Sequence, residues 1–226
     1  MAPEISITIP IYNEEGSIEK TVRNLVKAFE DVDYELVLVN HGSWDNTEKI
    51  LNKLGKENKR LNVINLAKNR GYGGGIMYGM EHSKGEIIGW TCADEEVSAE
   101  DTYKIYSAIR DRKNDVVKAL RTKRTDGWFR KLTSWVFNTL IAMRFRLKIK
   151  DVNGYPLFFK KEFLKKISPK ERAHLFNLDL VRNMKKQNMK ILEIPVIHRK
   201  RQEGKTFMKL PRVFEMTLDF FKYALK

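Results

Sequence analysis

Glu86-Ile87-Ile88-Gly89-Trp90-Thr91-Cys92-Ala93-Asp94-Glu95-Glu96 is the stretch on which the reading of this chain turns. A short apolar strand runs straight into three adjacent carboxylates. In an open α/β sheet, ligands gather beyond the carboxyl ends of the strands. Hard divalent cations take oxygen ligands and are commonly shared with substrate phosphates. The stretch therefore suits a metal–diphosphate site. The competing reading is structural: a solvated acidic turn capping the next helix, since Ser98 followed by Asp101 resembles a capping box.

Working outward, the same strand-then-helix rhythm recurs. Ile5 to Ile9 alternates like a strand and stops at Pro10. Asn13 to Ser17 opens a helix with Ile18, Val22, Leu25, Val26 and Phe29 on one face. Tyr34 to Val39 is a strand, followed by a helix over Asp45 to Leu54. Leu61 to Leu66 is a third strand. Asn69 to Gly75 reads as a glycine-rich turn leading into a helix from Ile76 to His82. Beyond the opening stretch, helix is expected to about Lys113, strand at Asp115 to Ala119, and a basic loop from Arg121 to Arg130. An amphipathic helix follows at Leu132 to Leu147, then a turn over Asp151 to Pro156 and a strand at Leu157 to Phe159. Helices are expected at Phe163 to Ile167 and Leu178 to Gln187. Pro195 places the strand Lys190 to Ile197 at an edge. A basic loop, His198 to Lys205, and an amphipathic helix, Phe207 to Leu225, complete the chain. Strands alternating with helices predict an α/β fold with a mainly parallel sheet flanked by helices.

Bulk properties narrow the function. A length of 226 residues fits one large domain, or one with an appended segment. The one cysteine, Cys92, excludes an internal disulfide and a cysteine-based zinc site. No signal peptide is read at the N-terminus, and no apolar run approaches the ~20 residues needed to span a bilayer. Residues 1–100 carry 11 Lys and Arg against 17 Asp and Glu, a net of −6, whereas residues 101–226 carry 32 against 12, a net of +20. A one-sided excess of this kind implies an anionic partner for the second half. Nucleic acid is not expected, because no basic-aromatic motif of a known reader is present.

Motifs in order along the chain carry a resemblance. Ile9-Pro10-Ile11-Tyr12-Asn13-Glu14-Glu15 resembles the opening of the family 2 glycosyltransferases. Val39-Asn40-His41-Gly42-Ser43-Trp44-Asp45-Asn46-Thr47 is similar to their second-strand motif, and Asn69-Arg70-Gly71 to their third. Cys92-Ala93-Asp94-Glu95-Glu96 sits where that family has Asp-Ala-Asp-x-Gln. Asp151-Val152-Asn153-Gly154 and the stretch from Arg199 to Lys205 resemble the dolichol-phosphate (polyprenyl-phosphate) mannosyltransferase subgroup. The resemblance implies a GT-A type nucleotide-diphospho-sugar transferase fold. Residues 1–98 would form the nucleotide-sugar half and 99–205 the acceptor half of a catalytic domain, with 206–226 a C-terminal amphipathic helix. It also implies an inverting enzyme that moves a hexosyl group from a nucleotide-diphosphate sugar, GDP- or UDP-linked, to a polyprenyl phosphate, peripherally at the cytoplasmic membrane face. The alternatives left open are a saccharide hydroxyl as acceptor, and a non-catalytic nucleotide-sugar-binding protein. A homo-oligomer is also left open.

The resemblance assigns roles by position. Pro10, Tyr12, Asn13, Glu14, Asn40, His41, Arg70, Ala93 and Asp94 would bind the donor. A tyrosine ring can stack on a base or ribose, and Asn and Glu accept from ribose hydroxyls; the competing role for Asn13 and Glu14 is a favourably charged helix start. His41 replaces the family's usual acid with a group able to donate or accept one hydrogen bond, and a surface histidine competes with that role. Asp45 and Thr47 read as helix caps. The glycines after Arg70 would let backbone approach the nucleotide. Mg²⁺ or Mn²⁺ would sit on Asp94 and Glu96, with Glu95 a weaker candidate. Cys92 stands where the first acid is usual, and a neutral thiol is a poor ligand for these ions. Arg121, Arg130 and Ser134, with Asp151, Asn153, Arg199, Arg201 and Lys205, would hold the acceptor and phosphates, since Arg matches phosphate with a planar fork of donors. Asp94, Arg121, Arg130 and Asp179 are the catalytic candidates. A phosphate monoester is already anionic near neutral pH, so such an acceptor needs positioning and charge screening more than a base. Val136, Phe137, Leu140, Ile141 and Phe145 either lie on lipid or complete a core or dimer interface.

Overall fold

Each of the first four strands feeds a helix. β1 (Ile5–Ile11) leads to α1 (Ile18–Ala28), β2 (Tyr34–Asn40) to α2 (Thr47–Glu57), β3 (Leu61–Asn65) to α3 (Tyr72–Glu81) and β4 (Ile87–Trp90) to α4 (Ala99–Arg110). β5 (Val116–Thr122), α5 (Trp128–Phe145), β6 (Leu157–Lys160), a 3-10 helix (Lys161–Lys166), α6 (Phe176–Lys186) and β7 (Ile191–Ile197) follow. The structure is a computed structural model that describes residues 2–111, 113–122, 128–169, 175–199, 219–220 and 222–224, with the side chains of 128–134 outside that description. Of the expected C-terminal helix, residues 219–220 and 222–224 are helical; the rest lies outside the described residues.

The strands form one sheet in the order β3-β2-β1-β4-β6-β5-β7. β1 pairs in parallel with β2 and β4, and β2 with β3. β6 runs antiparallel to both β4 and β5, and β7 is parallel to β5. Six strands therefore point one way. Their carboxyl ends share one edge of the sheet with the start of β6. Pro195, opposite Leu120 in β7, lies on the outermost strand; there its missing N–H interrupts no further ladder.

Apolar side chains cover both faces. On one, Ile5, Ile7, Ile9 and Ile11 of β1 pack with Ile18, Val22 and Leu25 of α1 and with Ile105, Tyr106 and Ile109 of α4. On the other, Ile88 and Trp90 of β4 and Leu157 and Phe159 of β6 lie with Ile76 and Met80 of α3 and Phe176 and Leu180 of α6. Each such side chain, fully buried, contributes about 1.5–3 kcal/mol. A third cluster joins Ile141 of α5 to Leu178 and Val181 of α6 and to Phe220 and Tyr223.

One expected element changes character. The glycine run is not a turn before a helix starting at Ile76, because α3 begins at Tyr72. A Cβ on Gly73 would stand 2.3 Å from Phe176 Cδ2, one on Gly75 1.6 Å from His41 Nε2, and one on Gly79 2.3 Å from Thr8 Cγ2. The glycines are needed because α3 lies almost in contact with the sheet and α6. Interior helix glycines cost about 1 kcal/mol each, and here the close packing offsets that cost.

Candidate active site

At the ligand edge, the loop after β1 is laced to the loop after β2 by six hydrogen bonds. Asn13, at φ 54°, accepts from Trp44 N through Oδ1, while its own N–H donates to Ser43 Oγ. Glu14 N donates to Thr47 Oγ1, and Glu15 exchanges bonds with Asp45 and Asn46. Asp45 Oδ1 also accepts from Thr47 N, which makes Asp45 a helix-start residue; Thr47 ties the two loops. Asn40 is buried, donating to Asn65 Oδ1 and accepting from Ser43 N. The amides of Asn13 and Asn40 thus shape this wall. Tyr12 stays half-buried, and the Trp44 indole, which sequence reasoning passed over, is 80% exposed.

His41 is not a surface histidine. Its ring is buried against Gly75, and its Nε2 has no hydrogen-bond partner. Burial, opposed by a contact with Asn69 and aided by the Arg70 charge, holds the imidazole below its ordinary range, so it is neutral. Arg70 lies 4.6 Å over the Tyr78 ring.

The acid turn is gripped from two sides. Toward α1, Thr21 Oγ1 donates to Ala93 O at 2.9 Å, and Glu95, at φ 52°, pairs with Lys20 at 2.7 Å and accepts from Asn24. Glu95 therefore points away from Asp94. On the other side, Glu96 Oε2 accepts from Tyr155 OH at 2.7 Å, and His198 Nε2 is 3.1 Å from the same oxygen, close enough to pair but not aligned for a hydrogen bond. Arg199 N donates to Glu96 O. Asp94 lies between, its Oδ1 accepting from Glu96 N at 3.3 Å. Ser98 does cap α4, accepting from Asp101 N, so the capping reading and the site reading hold together. Burial raises the Cys92 thiol well above its ordinary value, and the Asp94 and Glu96 carboxylates push it the same way; it is a protonated thiol.

The chemistry of this donor set decides what it can hold. Among the described residues no group of three or more His, Cys, Asp and Glu side chains is placed to hold a metal ion. Cys92 is no oxygen donor, and one oxygen of Glu96 is engaged by Tyr155. One or two carboxylates do suffice for Mg²⁺-like ions when substrate phosphates supply further oxygens. Asp94 and Glu96 fit such a shared ion, and do not form a stand-alone cage.

Across the edge, β5 brings a buried ionic network. Arg121 grips Asp151 through two side-chain bonds of 2.8 and 2.9 Å, and its N–H makes a third at 3.2 Å. Its guanidinium also lies 5.6 Å from the Tyr155 ring centre. Burial alone would raise Asp151; Arg121 and Lys118 outweigh it and hold the carboxyl at about 2. Lys118 is fully buried, donates to Asp151 O and lies 3.9 Å from Glu193. Burial pulls its ammonium down to about 8 against the pull of both carboxylates. Asn153 accepts from Asn177 at 3.2 Å.

Asp179 turns into the third cluster, where Tyr223 OH donates to its Oδ1 at 2.6 Å. Arg199 is exposed at the end of β7. The side chains of Arg130 and Ser134, and all of Arg201 and Lys205, lie outside the described residues. Sequence reasoning missed Tyr155, His198 and Lys118. A lysine inside a strand flanked by two others was the available signal for Lys118, since such strands are buried on both faces. A surface depression of about 1110 Å³ runs along α2 from Asp45 and Asn46, among residues such as Lys49, Lys53, Glu48 and Glu57; it is a solvated charged surface that none of Asp94, Glu95 and Glu96 lines.

An open, mostly parallel sheet with an acidic turn at the carboxyl end of β4 is a ligand-binding α/β architecture. The chain belongs to the glycosyltransferases of family 2: the family model described as Glycosyl transferase family 2 matches residues 6–168. Among its curated relatives is an undecaprenyl-phosphate 4-deoxy-4-formamido-L-arabinose transferase of Edwardsiella ictaluri, 27% identical over 95% of this chain and 66% of that protein. Another is a dodecaprenyl-phosphate galacturonate synthase of Rhizobium johnstonii, 28% identical over 96% of this chain and 65% of that protein. The chain thus spans just under two thirds of the length of these relatives. Glucosyl-3-phosphoglycerate synthase of Mycobacterium tuberculosis, solved with phosphoglyceric acid, shares the fold at a TM-score of 0.76 and 16% identity, over 99% of this chain and 79% of the other.

Proposed function

We propose that this chain carries a glycosyl group from a nucleoside-diphosphate sugar to a polyprenyl phosphate at the cytoplasmic face of a membrane. The observation that carries the proposal is the juxtaposition of the Asp94 turn with the cationic ends of β5 and β7, in a chain whose curated relatives act on polyprenyl phosphates over nearly its whole length. In this reading the donor, a UDP- or GDP-hexose, lies along Pro10, Tyr12, Asn13, Glu14, Asn40, His41, Arg70 and Ala93. The laced loops orient it, and neutral His41 sets the floor beneath α3. Asp94 and Glu96 would hold Mg²⁺ or Mn²⁺. When bound, such an ion screens the charge of the departing diphosphate. The related fold of the Mycobacterium synthase has been solved with Mn²⁺ and UDP-glucose.

The acceptor arrives as an anion. One of its phosphate oxygens attacks the anomeric carbon opposite the diphosphate, the new C–O bond forms as the old one breaks, and the configuration inverts. No proton has to be removed, so no side chain need act as base, which agrees with Asp179 being held by Tyr223. Arg130, Ser134, Asn153, Arg199, Arg201 and Lys205 would position the two phosphates. Arg121, already bonded to Asp151, contributes by holding Asp151 and the Val152–Gly154 turn in place.

Incubating the chain with labelled donors, Mn²⁺ and polyprenyl phosphate tests this. Organic-extractable, acid-labile product is the expected result. Donor binding without transfer to any acceptor would leave a nucleotide-sugar-binding protein instead, and product on a free saccharide would replace the lipid acceptor.

A further inference from the structure

Away from the acid turn, α5 and α6 meet in a groove of about 410 Å³ lined by Arg144, Arg146, Arg182, Lys185 and Lys186, with Phe145 among them. No carboxylate lines it among the described residues. Two of the cations are fixed by neighbours. Arg182 lies 4.2 Å over the Phe145 ring and 4.8 Å over Tyr223, and Arg144 donates to Ala224 O. Arg146 and Lys186 are exposed. Five like charges this close repel one another, and no described residue of the groove lining offsets them.

The adjoining turns of α5 present the opposite chemistry. Val136, Leu140 and Met143, at helical spacing, form an exposed stripe beside Trp135; Met143 is 75% exposed and Trp135 65%. From residue 127 to residue 150 the sequence holds six Lys and Arg and no Asp or Glu. An apolar stripe with aromatic content, ending in unbalanced cations, is the chemistry of a helix lying in a membrane interface. Nucleic acid would satisfy the cations but not the stripe.

We infer that the groove is a binding site for the phosphates of anionic phospholipids, with the α5 stripe entering the acyl boundary beside it. The inference rests on the membrane-surface reading above and names the lipid chemistry that reading leaves open. It is separate from Asn153 and Arg199, the described acceptor-phosphate candidates, which flank the start of β6 and the end of β7.

Co-sedimentation of the full chain with vesicles tests it, using phosphatidylcholine alone and phosphatidylcholine with phosphatidylglycerol. The wild type is expected to prefer the anionic vesicles and to lose that preference in high salt. Each cation near such a surface is worth about fivefold in affinity. The double variant Lys185→Gln/Lys186→Gln should therefore bind anionic vesicles about thirtyfold more weakly, with an unchanged melting curve. Trp135→Ser/Met143→Ser should weaken binding to both kinds of vesicle. If the lysine variant matches wild type on anionic vesicles while the stripe variant fails, the groove assignment is overturned and the membrane reading survives. If wild type sediments with neither vesicle, both are overturned. Duplex DNA that binds wild type but not the lysine variant, while vesicle binding persists in both, would make the groove a nucleic-acid site and overturn the assignment.

Discussion

The β1–β2 side and the β5–β7 side of the ligand edge are built from different bonds. On the first, amides, hydroxyls and backbone groups join the loops, with the side chains of Glu15 and Asp45 as acceptors of N–H donors. On the second, Lys118, Arg121, Asp151 and Glu193 meet below the surface. The first arrangement spreads its strength over many small bonds, each worth about 1 kcal/mol net. The second concentrates it, because removing one member leaves a charge buried without compensation.

The sharpest way to break that contrast is Asp151→Ala, which strands Arg121 and leaves Glu193 as the carboxylate beside Lys118. A loss of about 3–5 kcal/mol in urea unfolding is expected; a loss below 1 kcal/mol would mean that the network is no more than a collection of weak bonds. Asp94→Ala addresses the chemistry with little effect on the fold. Transfer should fall by about 10²–10³-fold, the range seen when one stabilising group is removed from a reacting charge, while the melting temperature stays put. Retained turnover would move the metal-diphosphate site elsewhere.

Gly75→Ala tests the quieter side. A Cβ there meets the His41 ring, and overpacking of this kind costs about 1–3 kcal/mol. Pairing it with His41→Ala should recover most of the loss, and a purely additive double-mutant cycle would show that the two residues do not touch. The smallest effect is pH-dependent. Unfolded, His41 titrates near 6.5, whereas burial keeps the folded imidazole neutral to lower pH. The unfolded state then binds more protons, so stability declines as pH falls below about 6.5. His41→Asn should flatten that decline in unfolding curves measured between pH 7.5 and 5.5, a window bracketing the ordinary histidine value.

Legibility followed the range of the determining contacts. Strand β4 and its acids could be read because an apolar run and a chain of carboxylates are local signals. The edge position of β7 followed from Pro195 for the same reason. The glycines of α3 misled because they read locally as a turn; only His41, Phe176 and Thr8, distant in sequence, show that they are packing positions. Glu96 reads locally as a plain ligand; Tyr155 and His198, which flank later strands, occupy its carboxylate. The basic loops could be read as cationic, but not which cations are committed: Arg121 is bound to Asp151, and no spacing rule announces that pairing.

The lone reversed strand, β6, has a consequence for how this fold can vary. Because it runs against its neighbours, the chain leaves the sheet at Thr122 and re-enters at Leu157 along the same edge. The described part of the intervening excursion carries α5 and the Asp151–Gly154 turn. It can behave as a cassette, since its length and composition can drift while the parallel register of β1 with β2 and β4, and of β2 with β3, stays fixed.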